Sequence, residues 1–88
     1  MTDVLGKSKQ LYVSIKSKNK ILYDGNVLTL TSRNESGVFD ILLLHTNFIT
    51  LVRDYVIIDK GLPTEKRFDF EKGVLYVIAN KVDIYIGI

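Results

Sequence analysis

The chain has no cysteine and no tryptophan, one proline, one histidine and one alanine. Without cysteine there are no disulfides, no thiolate nucleophiles and no sulfur-ligated zinc, so packing alone must hold the fold. No stretch approaches the roughly 20 apolar residues that span a bilayer, and Met1 to Gln10 carry no continuous apolar run of the secretory kind. Strong helix formers are scarce: Ala79 is the only alanine, and Glu35, Glu65 and Glu71 are the only glutamates. Against these gaps stand the strand formers, with 34 of 88 residues being Val, Ile, Thr, Phe or Tyr. A chain this short makes one domain and buries about 64% of the surface its unfolded form exposes, a real but thin core.

Catalysis finds little to work with. Nucleophilic mechanisms need a base beside a nucleophile, and His45, the only imidazole, stands among leucines with no nucleophile motif near it. One histidine and no cysteine would force three carboxylates onto a zinc ion, and the aspartates at 24, 40, 54, 59, 69 and 83 read as turn caps and solvated faces. The six glycines are isolated, so no phosphate-cradling loop exists. Net charge is +2, unevenly spread: the first twenty residues hold Lys7, Lys9, Lys16, Lys18 and Lys20 against Asp3. Tyr12, Lys16, Lys18 and Lys20 fall toward one face, the combination by which small barrels bind single strands. Lysines on an outward or edge face also block strand-to-strand aggregation, and acidic residues follow throughout the later segments.

Along the chain, residues 1–10 read as a loose polar arm and residues 11–88 as the domain. Leu11, Val13 and Ile15 alternate with Tyr12, Ser14 and Lys16, a half-buried strand. Asp24-Gly25 is a strong turn pair, Asn26 to Ser32 alternates again, and 33–37 is a polar connection. Phe48 to Lys60 reads as two short strands broken at Arg53-Asp54. The sequence Asp59-Lys60-Gly61-Leu62-Pro63-Thr64 is the clearest loop. Glu71-Lys72-Gly73 reads as a turn between Arg67–Phe70 and Val74–Ala79, and Asn80-Lys81 as the last turn before Val82–Ile86. Eight or nine short strands at this spacing predict an antiparallel sandwich or barrel.

Residues 11–88 resemble the amino-terminal β-sandwich domain of the epsilon subunit of F-type ATP synthases. Ile21-Leu22-Tyr23-Asp24-Gly25 is similar to the family's opening hydrophobic-aromatic-x-glycine pattern, and Phe39-Asp40-Ile41-Leu42-Leu43-Leu44-His45 to its Phe-Gly-x-x-Pro-Gly-His signature. Phe48-Ile49-Thr50-Leu51 matches the hydrophobic run that follows. Gly73-Val74-Leu75-Tyr76-Val77 with Asn80-Lys81-Val82-Asp83-Ile84 matches the closing hairpin. Departures mark a divergent member: Asp40 replaces the signature glycine, Leu43-Leu44 replaces Pro-Gly, Arg53-Asp54-Tyr55 stands where Lys-Pro-Gly is usual, and Val38 takes a position that is often acidic.

The resemblance implies an all-β, small antiparallel two-sheet sandwich, and the chain ends with no sequence for the family's carboxy-terminal helical hairpin. It also implies a mechanical role: a non-catalytic, cofactor-free central-stalk subunit of a proton-translocating ATP synthase, coupling the rotation of the gamma subunit and c-ring to ATP synthesis. The place it implies is the cytoplasmic side of the membrane, peripheral and without insertion, with no nucleic acid as partner. Interface residues implied or inferred are Val38, Asp40, Leu42, Leu44 and His45; in alternation with inward Phe39, Ile41 and Leu43, the two leucines Leu42 and Leu44 point outward. A sandwich or barrel module that binds nucleic acid or another protein is the alternative.

Overall fold

Alternation of apolar side chains sets the strands. In β1 (Leu11–Ser17), Leu11, Val13 and Ile15 are fully buried, as the two-residue repeat requires. The computed structural model describes residues 10–87. Within them follow β2 (Lys20–Val27), β3 (Leu30–Asn34), β4 (Gly37–Ile41), β5 (Phe48–Ile58), β6 (Lys66–Ile78) and β7 (Lys81–Ile86), with no helix. Apart from Gln10, the polar arm expected over residues 1–10 lies outside the described residues.

Hydrogen bonds join all seven strands into one sheet in the order β2-β1-β7-β6-β5-β3-β4. Neighbours run antiparallel except β1 and β7, which pair in parallel from Tyr12–Lys81 to Lys16–Tyr85. The sheet folds over on itself. Ring contacts between strands that share no ladder mark the fold: Tyr23 on edge strand β2 meets Phe68 on β6 at 6.0 Å, and Phe39 on edge strand β4 meets Phe48 of β5 at 5.9 Å. Val13, Leu75 and Ile84 from one half then share a single core cluster with Leu30, Ile41 and Val56 from the other. The all-β sandwich is therefore present, with both layers cut from one continuous sheet.

Seven strands replace the eight or nine expected because three presumed breaks are strand interior. At Arg53-Asp54 the ladder shifts register without ending: Arg53 pairs with Lys72 and Asp54 with Phe70, leaving Glu71 as the extra residue of a bulge. Gly73 makes no turn. A Cβ there would stand 2.7 Å from the Tyr85 carbonyl oxygen, so glycine serves close backbone approach inside β6. Asp24-Gly25 likewise lies mid-strand in β2, opposite Ser14 and Val13. The last turn falls one residue earlier than expected, at Ala79-Asn80, where both residues have positive φ (49° and 66°), the geometry of a two-residue hairpin.

One aspartate contradicts the expectation of solvated carboxylates. Asp59 is buried at the end of β5. One carboxylate oxygen accepts the Leu28 and Thr29 amides at 2.7 and 3.2 Å, and the other accepts the Thr64 hydroxyl at 2.7 Å. The Asp59 amide donates to the Thr29 carbonyl at 3.0 Å. Burial alone would raise its pKa, but these donors outweigh burial and hold the carboxyl below its ordinary value. Asp59 thus clamps the β2–β3 turn to the loop that holds Pro63.

Candidate docking surface

The residues singled out from sequence lie along and beyond one edge strand. Val38 and Asp40 are both exposed on β4, and Asp40 accepts the Thr31 hydroxyl at 2.6 Å from neighbouring β3. Past β4 the chain turns: the His45 amide donates to the Leu42 carbonyl at 3.1 Å, closing a four-residue turn. Its third residue, Leu44, has φ of 67° while Leu43 does not share the left-handed region, which defines a type II turn. Proline and glycine are the residues that geometry favours at its two central positions, so Leu43-Leu44 keeps a Pro-Gly turn without Pro or Gly. Leu42 is exposed and Leu44 is 81% exposed, the most open large apolar residue described. His45 is half-buried, edge-on to Phe48 at 5.0 Å, and its Nδ1 donates to the Thr46 carbonyl at 2.7 Å.

Two asparagines fasten this turn to the opposite layer. The Leu44 amide donates to Asn80 Oδ1 at 2.7 Å, and the Ala79 amide donates to Asn47 Oδ1 at 3.0 Å. Leu44 is thereby held beside the tip of the β6–β7 hairpin, at the edge of a surface that the sequence reading did not single out. On the outward side of β5, Ile49 and Leu51 are 69% and 68% exposed. Their cross-strand partners on β6 are Tyr76 and Val74, and exposed Ile78 continues the row. Val38 and Asp40 belong to the other layer, so the five expected residues do not form one patch. The missed signal was β5 itself: Phe48, Thr50 and Val52 alternate with Ile49 and Leu51, leaving a strand that is apolar on both faces.

Toward β7 and β1 the same outward face turns polar and aromatic. Tyr85 stacks on Tyr76 at 6.0 Å, Lys16 Nζ lies over the Tyr85 ring at 5.4 Å from its centre, and Lys81 lies 6.0 Å from the Tyr12 ring. Tyr12 donates to Asp24 across the β1–β2 pair, a bond that raises the phenol's pKa. An apolar centre with an aromatic and charged margin is the anatomy of a protein interface. Among the described residues no cluster of His, Asp and Glu is gathered as a metal site, and no helix is long and apolar enough to cross a membrane.

No family model and no curated protein matches the chain. Solved structures do. A chain of the Euglena gracilis mitochondrial ATP synthase superposes with a TM-score of 0.80 at 15% identity, covering 89% of this chain and 51% of that one. The fold is one used in mitochondrial ATP synthases. A second ATP synthase chain, in the central stalk and c-ring structure from Tetrahymena thermophila, matches with a TM-score of 0.67 at 16% identity, over 86% of this chain and 62% of that one. The chain spans about half the length of the first of these and under two thirds of the second. Identity this low fits a divergent sequence carrying a shared ATP synthase fold.

Proposed function

We propose that the chain is an epsilon-type central-stalk component of a proton-translocating F-type ATP synthase, non-catalytic, seated between the gamma subunit and the c-ring and coupling their rotation to ATP synthesis. The observation that carries this reading is the 0.80 TM-score over 89% of the chain with an ATP synthase chain. The surface chemistry supports it: a domain whose work is to be gripped needs docking faces rather than a reaction centre. Two such faces exist on opposite layers. The Leu42–His45 turn with Ile49, Leu51 and Ile78 would meet the gamma subunit. The outward row of β4, with Val38 and Asp40, would face the ring. Val38 replaces an acidic residue usual at the ring-facing position, so that contact would be apolar here.

Torque passes only through a stiff part, and the folded-over sheet supplies stiffness. Its core is close-packed and deforms little, and β5 and β6 run through both layers, so neither layer can shear without bending a shared strand. The assembly would lie against the cytoplasmic side of the membrane, held there by the ring.

Copurification tests the reading. The tagged chain, coexpressed with the gamma subunit of the same organism, should retain gamma through gel filtration. A chain that ignores gamma and instead binds single-stranded DNA with a steep salt dependence would overturn it.

A further inference from the structure

Resting on that reading, we infer that the outward face of β5 and β6 selects a partner segment whose apolar stripe ends in carboxylates, and that Arg53 and Lys72 do the selecting. The two cations are directly opposed in the β5–β6 register and close the apolar rows of Ile49–Leu51 and Val74–Tyr76 on the same outward side. Like charges placed directly opposite destabilise a sheet, so the free domain carries a penalty here that an incoming anion would remove.

Among the described residues that anion is supplied only in part. Asp54 Oδ1 lies 3.8 Å from Arg53 Nε, the outer reach of an ion pair, while Asp54 Oδ2 pairs with Arg33 at 2.8 Å. Among the described residues Lys72 forms no ion pair. Glu35 and Glu71 line the same open cleft of about 440 Å³ as Arg53 and Lys72, yet neither comes within salt-bridge distance of them. Asp83 lies on the same outward face, opposite Tyr76 and beyond the apolar rows.

Carboxylates fit better than phosphates. The residues next to the cations along their own strands are aliphatic, Leu51 and Val74, and the rings further along this face are already engaged, Tyr76 with Tyr85, Tyr85 with Lys16 and Tyr12 with Asp24, whereas single-stranded nucleic acid needs free aromatic faces for stacking. An apolar stripe bounded by carboxylates meets both parts of the surface at once, and Arg53 offers the planar fork that holds a carboxylate by two parallel hydrogen bonds.

Arg53→Glu and Lys72→Glu, each made alone, test this in the full chain coexpressed with gamma. Each places Glu opposite the remaining cation and turns repulsion into attraction. We expect a melting temperature equal to or above the parent's, together with roughly tenfold weaker association and a flatter dependence of binding on salt. Arg53→Lys should keep most of the binding. A merely structural role would move stability and binding in the same direction. Unchanged gamma binding by both variants overturns the charge selection while leaving the function standing; failure of the unmodified chain to bind gamma overturns the function instead. Binding of the unmodified chain to phosphatidylglycerol vesicles or single-stranded DNA, lost in the same variants, would assign the cations to phosphate and overturn the carboxylate.

Discussion

Leu44 combines two costs that a stable domain would avoid. Its φ of 67° is left-handed, which costs an L-residue about 1–2 kcal/mol, and its side chain stands in water. Strain kept at an exposed apolar tip points to a use in binding. Leu44→Gly should relieve the backbone while enlarging unfolded-state freedom, effects that partly cancel; melting should shift upward by the equivalent of no more than about 1 kcal/mol, while retention of gamma falls. Leu44→Asp should also weaken association with little change in melting, and a large loss of stability there would place Leu44 in the core. Asp59 is the opposite case, a charge spent on the fold. Its folded-state pKa lies below the ordinary 3.8, so the clamp's contribution is complete above that value and is lost as pH falls through the lower, folded-state value. Asp59→Asn should remove this acid limb from the stability profile and cost about 1–3 kcal/mol at neutral pH through its poorer acceptors, both measurable by urea titration at several pH values. The outward leucine in a former Pro-Gly turn was legible from the amino acids; the Asp59 clamp and the backbone strain at Leu44 were not. Aspartate before a Lys-Gly-Leu-Pro loop looks like any turn cap, and the strain at Leu44 depends on a turn whose usual residues are missing.

At the scale of elements, alternation located β1 and β7 directly, because each keeps one apolar row inward through its length, but it ran Asn26–Ser32 together as one strand where the chain turns at Leu28-Thr29 between β2 and β3 and continues as strand to Asn34. It failed in β2, β5 and β6, where glycine and paired charges within a strand resemble turn chemistry. Gly73 shows the reason in ångströms: it sits between Val52 on β5 and Ile86 on β7, with the Tyr85 carbonyl pressed against it. Local sequence cannot distinguish a glycine that bends the chain from one that lets another backbone come close. Gly73→Ala should therefore destabilise by considerably more than strand propensity alone would give, in the range of about 1–3 kcal/mol typical of overpacking. The same substitution in a true turn at negative φ would be almost neutral. Thermal melting of the variant decides between the two, and hydrogen exchange should show the loosening concentrated in β6 and β7.

Viewed as a whole molecule, the chain makes its most distant pairing inside the sheet: β1 and β7, separated by most of the sequence, lie side by side as the second and third strands from the β2 edge. The β5–β6 hairpin is closer in sequence, extends across both layers and needs only a short loop to close. Loop-closure entropy makes the hairpin the cheaper nucleus and the parallel pair the late step. Conservative truncations on the two elements should separate them. Ile58 on β5 and Ile15 on β1 are both essentially fully buried, so replacing either with valine should cost a similar amount, about 0.5–1.5 kcal/mol. Ile58→Val should slow folding, whereas Ile15→Val should leave the folding rate nearly unchanged and speed unfolding. Stopped-flow chevrons measure both arms. Slower folding in the β1 variant, with unfolding unaffected, would show that the sheet closes through β1 and β7 before the shared strands form. The consequence reaches the proposed function: if β1 docks late, it also opens first under load, and the β5–β6 strands that carry Ile49, Leu51, Arg53 and Lys72 keep the proposed docking face intact when the rest of the sheet is strained.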